Sequence, residues 1–261
     1  MDKKVYEVLS KIEFSGYEAY VVGGYVINFL SNKDSFDIDI ATSAKTEQLE
    51  EMFKEYDYKI KNKCLYFEIA KFTFEITPFR IDQKYFNNRN KFKSKYTNKV
   101  QKDSKRRDFS INAIYMNKEE EVLDFHNGLK DLNNKNLRMI GNPNKRLKED
   151  YLRILRAIRF SVTLGFEFDE KLEKIIKKYK HFVSCLSSFR KKEELNKMLN
   201  TDILKTIKII EKYNLYKELM IPYNIKYTKD IYGFWAQTNY SLFPFARKEI
   251  KQIETYLDIK K

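Results

Sequence analysis

Two aspartates carry the most direct chemical signal in this sequence. In the segment FDIDIA, Asp37 and Asp39 stand two residues apart in an alternating apolar pattern. On a strand that spacing turns both carboxylates to the same side. Two carboxylates so close repel unless a cation lies between them, and oxygen donors in that arrangement suit Mg²⁺ bound together with substrate phosphates. The same spacing also describes two charges on an edge strand facing water, and the pair alone does not separate these readings. Gly23 and Gly24, upstream at the end of an apolar run, favour chemistry. Two glycines after a strand let the backbone approach a phosphate at the start of a helix. The only histidines are His126 and His181, so a metal here is expected on carboxylates rather than on imidazoles.

Two further segments concentrate arginine in a chain that otherwise prefers lysine. In DSKRRDFSINAIYMN, Arg106 and Arg107 are suited to clamping a triphosphate. Asp108 and Ser110 stand where a following helix would take its cap, a structural role. In RLKEDYLRILRAIRF, Arg153, Arg156 and Arg159 recur every three residues behind Asp150. On one helix over residues 146–163 these form a stripe with a carboxylate at its N-terminal end. A solvated basic face is the plain alternative. The use of Arg points instead to planar, bidentate recognition.

The elements that must position these groups follow from pattern. Helices are expected over residues 1–14, 25–31 and 45–55. Strands are expected over residues 17–22, 36–41, 58–60, 64–70 and 71–81. Strands in near succession imply an antiparallel or mixed sheet. Beyond Gly141-Asn142-Pro143 the pattern turns all-α, with helices over residues 146–163, 170–180, 190–199 and 201–213. The segment 84–105 is polar and basic, a candidate loop or solvated face. Aromatics crowd residues 213–256 around Trp235, for core packing or for stacking on RNA.

The 261 residues are 43% hydrophobic and carry a formal net charge of +14, which excludes a disordered chain and suggests a polyanionic partner. Nucleic acid comes first and an anionic membrane surface second; an AT-rich genome is the plain alternative source of the lysines. No stretch reaches the roughly 18 apolar residues of a membrane span. Cys64 and Cys185 lack metal-site or disulfide spacing, and no apolar signal segment opens the chain. A cytoplasmic setting is expected. Nothing calls for a protein partner.

Taken in order, the stretches VVGG…DIDIATSAKTEQL, FEITPFRID, RRDFSINAIYMN, DFHNGLKDL, EDYLRILRAIRF and EELNKML resemble the class II tRNA nucleotidyltransferase and bacterial poly(A) polymerase family, from about residue 20 to residue 199. The resemblance implies a fold that is α/β followed by all-α. A polymerase-β-like head would occupy residues 1–140, a helical neck 141–200 and a short helical body 201–261. It implies attack of an RNA 3′-hydroxyl on the α-phosphate of a nucleoside triphosphate, with two Mg²⁺ ions on Asp37 and Asp39. It makes Glu75 the candidate third carboxylate, although an ordinary strand residue fits equally. Gly23, Gly24 and Arg107 would contact the nucleotide. Asp150 and Arg153 would read the Watson–Crick edge of ATP or CTP, and Arg156 and Arg159 would extend or support that site. The partners expected are tRNA, ATP and CTP, and the reaction expected is template-independent CCA addition. CC-, A- or poly(A)-adding enzymes remain alternatives, as does a catalytically weakened RNA-binding or nucleotide-sensing relative. Two departures stand out. Ile27 and Asn28 occupy the place of the family's Arg-Asp, and fewer residues follow the neck than in full-length relatives. A head loop over residues 85–105, with Arg89, supports the CCA reading.

Overall fold

The computed structural model describes residues 1–82 and 94–258; Arg89 and most of the loop around it lie outside them. The chain folds as two compact units. The first holds residues 1–134 and 138–141, and the second holds residues 135–137 and 142–261.

The first unit is built on a mixed seven-stranded sheet with helices on one face. Helix α1 (Lys3–Phe14) starts where the Asp2 side chain accepts a hydrogen bond from the Lys4 amide, and buries Val5, Val8, Leu9 and Ile12. Strand β1 (Ala19–Val22) leads through Gly23 into α2 (Gly24–Leu30), and β2 (Asp37–Thr42) into α3 (Thr46–Met52). Strands β3 (Tyr58–Lys61), β4 (Cys64–Ile69) and β5 (Phe72–Pro78) follow. A detached ribbon pairs β6 (Arg80–Asp82) with β7 (Ser94–Tyr96). Then come α4 (Val100–Ser104), β8 (Ile114–Met116), β9 (Val122–Asp124) and α5 (Gly128–Asn133). The sheet order is β3-β4-β5-β2-β1-β8-β9. Among the described residues of this sheet, only the β2–β5 pairing is parallel.

Alternation gives this sheet two unlike faces. Ile38 and Ile40 of β2, Leu65 and Phe67 of β4, and Phe74 and Ile76 of β5 pack with the apolar side of α1, Tyr25 and Val26 of α2, and Leu49 of α3. The opposite face carries a small cluster of Val22, Ala41, Phe79 and Tyr115. Between these and the sheet edge it presents polar side chains.

Two expectations for this unit need correction. The strand expected over residues 71–81 breaks at Phe79, whose amide is drawn to the Thr42 carbonyl and whose carbonyl accepts from Thr97. The helix expected after Asp108 is a single 3-10 turn, Ile111–Ala113, that feeds directly into β8, and no side chain caps it. Apolar spacing over so short a run fits a buried strand as well as a helix.

The second unit is helical. It comprises α6 (Pro143–Glu149), α7 (Leu152–Leu164), α8 (Glu170–Tyr179), α9 (Ser188–Leu199), α10 (Ile203–Tyr213), α11 (Tyr216–Leu219), α12 (Ile231–Trp235) and α13 (Arg247–Asp258). A short ribbon pairs β10 (Asn136–Leu137) with β11 (Glu167–Phe168) in parallel. Short polar residues start the helices: Asn142, Asp169, Ser187, Asp202 and Asp230 each accept a first-turn amide hydrogen. Such caps satisfy donors that the helix itself cannot. Trp235 is fully buried and donates to the Asn196 side chain at 2.8 Å, with Phe234, Phe243 and Phe245 around it. The aromatic-rich segment therefore puts its tryptophan into a core. Among the described residues, no helix is long and apolar enough to cross a membrane.

Gly128 shows how tightly the first unit is closed. A Cβ there would stand inside contact distance of the Ser110 carbonyl oxygen and 2.7 Å from Ile114 Cγ1. Gly128→Ala is expected to destabilise the protein by about 1–3 kcal/mol, read as a lower urea midpoint at unchanged slope.

Candidate active site

The pairings across the sheet place one residue of each strand in a single row: Lys59, Tyr66, Glu75, Asp39, Val22, Tyr115 and Leu123. Paired residues share a face. Asp39 thus stands at the middle of the polar face, next to Glu75. Asp37, also exposed, lies one step along β2 beside Thr73. Ile38 and Ile40 point into the core between and beyond them, which fixes the direction of both carboxylates.

Gly23 makes the room that Asp39 occupies. It is the residue after β1 and precedes α2, with φ +76°. A Cβ there would lie 3.0 Å from Asp39 Oδ2, and L side chains rarely adopt that backbone. Gly24 is exposed, with open space where a Cβ would point. Ile27, on the same helix, is 3% exposed, and Asn28 is half-buried.

Behind Asp39 lies a buried ionic network that the motifs alone do not reveal. The Asp103 carboxylate is fully buried at the end of α4. It accepts from Arg106 Nε at 2.7 Å, from the Tyr115 hydroxyl at 2.7 Å and from the Arg80 amide at 3.1 Å. Arg107 Nη2 lies 3.5 Å from the same carboxylate. Arg107 Nε donates to the Tyr115 hydroxyl at 2.8 Å, and its guanidinium carbon stands 5.0 Å from the Tyr115 ring centre. Burial by itself would raise the Asp103 carboxyl, but Arg107, Arg106, Tyr115 and the Arg80 amide outweigh it and hold it below the usual range. Burial would likewise weaken the charge on Arg107; Tyr115, Asp103 and Asp39 outweigh it and push the guanidinium up, so it stays protonated. Asp103 stands four residues before Arg107, a spacing that pairs opposite charges on one helical turn. That spacing is the signal the sequence does carry. Asp108 is buried and caps no helix; its carbonyl accepts from the Ile140 amide.

Glu75 is adjacent to Asp39 but is engaged by the Tyr66 hydroxyl. Burial first, then the charge and hydrogen bond of Glu75, raise the Tyr66 phenol. Among the described residues, no three His, Cys, Asp or Glu side chains gather to hold a metal ion. Asp37 and Asp39 therefore offer two carboxylates without a protein cage. That donor set fits Mg²⁺, which keeps water and phosphate oxygens among its ligands.

The other expected site residues belong to the second unit, and the single helix expected over 146–163 is in fact two. Asp150 ends α6 in extended backbone, with φ −151° and ψ 108°. Its Oδ1 accepts from the Leu152 amide at 3.0 Å, so the side chain competes for helix donors and restarts the helix as α7. Asp150 accordingly sits at a break ahead of the arginine stripe. Arg153 is 4% exposed, its Nη1 donating to the Arg146 carbonyl at 2.6 Å and to Glu149 at 3.3 Å. Arg156 is half-buried. Arg159 Nε donates to the buried Glu194 at 2.7 Å and its guanidinium lies over Phe160. Arg159 thereby ties α7 to α9.

Comparisons with known proteins agree with this architecture. Residues 19–138 match the poly A polymerase head domain, and residues 165–224 match the probable RNA and SrmB-binding site of polymerase A. A CCA-adding enzyme of Lactobacillus helveticus is 38% identical over 75% of this chain and 49% of its own length. One of Streptococcus agalactiae is 36% identical over 76% and 49%. The chain spans about half the length of these curated relatives. The crystal structure of the Bacillus stearothermophilus CCA-adding enzyme in complex with CTP shares the fold, with a TM-score of 0.81 at 21% identity over 100% of this chain and 71% of that one. The Thermotoga maritima CCA-adding enzyme complexed with tRNA gives 0.72 at 20% identity, over 99% and 70%. With the matched head domain carrying the Asp37/Asp39 face and the second match following it, the chain belongs to the family of class II tRNA nucleotidyltransferases and bacterial poly(A) polymerases.

Proposed function

We propose that this protein adds CCA to the 3′ end of tRNA from CTP and ATP, without a nucleic-acid template. The observation that carries the reading is the exposed Asp37/Asp39 pair on β2, with Gly23 clearing its side and Arg107 held behind it. The CCA-adding enzymes among the relatives supply the substrate class. Cellular tRNA as substrate makes the cytoplasm the proposed place of action.

The reaction joins the RNA 3′-oxygen to the α-phosphorus of the nucleotide and releases pyrophosphate. Asp37 and Asp39 would hold Mg²⁺, two ions on the two-metal reading, which would supply charge neutralisation and alignment for that displacement. Gly24 leaves the phosphates room beside α2. Arg107 faces the negative charge of the triphosphate, with its guanidinium kept protonated by its neighbours. Glu75 helps fix Asp39 from the adjacent strand. In the neck, Asp150 accepts from the exocyclic amine shared by C and A, and Arg153 donates to the ring nitrogen or carbonyl. Arg156 and Arg159 support that reader. GTP and UTP present a carbonyl where the amine is needed.

A second reading, a catalytically weakened RNA-binding relative, draws on the buried Ile27, which brings no cation to the nucleotide. Incubation with tRNA lacking CCA and each labelled NTP, singly and in pairs, decides between them. CCA addition requires C then A to be incorporated in a fixed number. Long runs of A alone would give the poly(A) reading, and equal inactivity of wild type and Asp39→Ala would give the weakened relative.

Asp39→Ala is expected to lower turnover at least about a hundredfold while the fold is retained, because several kcal/mol of charge stabilisation are lost. Gly23→Ala is expected to lower it as well, by crowding Asp39, with the stability loss held to about 1–3 kcal/mol. Asp150→Ala should relax C and A selection against U and G about tenfold, an unpaired amine being worth about 1–3 kcal/mol; unchanged selectivity would remove Asp150 from the reader. Affinity for tRNA should fall steeply as salt rises, seen as a negative slope in a log–log binding plot.

A further inference from the structure

Arg107 feels the charge of Asp39, and it is held by a phenol hydroxyl as well as by a carboxylate. Its link to the Asp103 carboxylate is long, at 3.5 Å, whereas Arg106 takes the same carboxylate at 2.7 Å. The short bonds run through Tyr115: its hydroxyl donates to Asp103 at 2.7 Å and accepts from Arg107 Nε at 2.8 Å, while its ring lies against the guanidinium. Tyr115 is fully buried and stands in the same cross-strand row as Asp39, on the far side of Val22. Its position is therefore set by the sheet register that sets Asp39.

We infer that Tyr115 and Asp103 are positioning residues for nucleotide binding: Asp103 orients the Tyr115 hydroxyl, and Tyr115 aims Arg107 at the triphosphate beside Asp39. The inference rests on the nucleotidyltransferase reading of this face. A guanidinium anchored on one edge loses less freedom when it meets a phosphate. A buried ionic cluster contributes little to stability over an apolar one of the same volume, so its retention fits orientation better than folding.

The test is a double-mutant cycle on CTP and ATP affinity with Mg²⁺ present, measured by equilibrium binding and by KM and kcat on tRNA lacking CCA. Tyr115→Phe keeps the ring and removes only the hydroxyl. It is expected to weaken CTP and ATP binding about tenfold, as for one charge-assisted hydrogen bond. KM should rise in step, with kcat at saturating nucleotide changed less than about threefold. In an Arg107→Met background the same substitution should cost almost nothing, because it acts through Arg107. Asp103→Asn, which keeps an acceptor for the hydroxyl, should fall between wild type and Tyr115→Phe. If Asp103→Asn fails to fold, the Tyr115→Phe cycle decides alone. Additive losses in the cycle, or a folded Tyr115→Phe with wild-type nucleotide affinity, would overturn the positioning role. Absence of nucleotide binding by the wild type would overturn the function proposed for this face, and the inference with it.

Discussion

The register between β2 and β5 is the constraint on which the rest of the first unit depends. It is the parallel pairing in a sheet whose other described pairings are antiparallel, and it sets Glu75 next to Asp39. Because side chains alternate along a strand, a slip of one residue would send Asp37 and Asp39 into the apolar layer and Ile38 and Ile40 into water. The buried isoleucines thus hold the aspartates outward. Packing on one face and charge on the other are two readings of the same register.

The electrostatics of the polar face are arranged in depth. Exposed carboxylates lie on the sheet, and a protonated guanidinium lies behind them. Deeper still, a carboxylate with no exposure accepts from Arg106, Tyr115 and the Arg80 amide and pairs with Arg107. A lone Asp103 would be costly to bury; with its partners it becomes the fixed point for Arg106, Arg107 and Tyr115. Ile27, a buried aliphatic side chain on α2, adds no charge to this arrangement.

Much of this is legible in the sequence. FDIDIA reads as a strand with both aspartates on one side, because period-two alternation is unambiguous when flanked by isoleucine. The helical second unit follows from periodicity, and so does the mixed sheet. The departures share a cause. Asp150 reads as part of one long helix because the apolar spacing runs through it, whereas its side chain takes the Leu152 amide and interrupts the helix. The stretch after Asp108 reads as a capped helix start, but tertiary pairing with β1 and β9 draws Ile114–Met116 into the sheet. Tyr115 and Asp103 do not stand out because their importance arises from a cross-strand row and a buried network. The row leaves no local pattern, and the network leaves only the four-residue spacing of Asp103 and Arg107. The bond of Arg159 to Glu194 on α9 is likewise invisible locally, because the partner is distant in sequence.

The cross-strand row also bears on when the protein becomes competent. Its neighbours in space are far apart in the chain: Val22 lies between Asp39 and Tyr115, and Glu75 reaches Asp39 only after β3 and β4 have intervened. Closing such distant contacts carries an entropic cost that local helices avoid. During synthesis, α1, β1 and β2 emerge early and carry both aspartates. The strand bearing Tyr115 follows much later, and until it docks the row is unfinished. A nascent chain therefore displays its acidic pair well before Arg107 and Tyr115 are in place behind it.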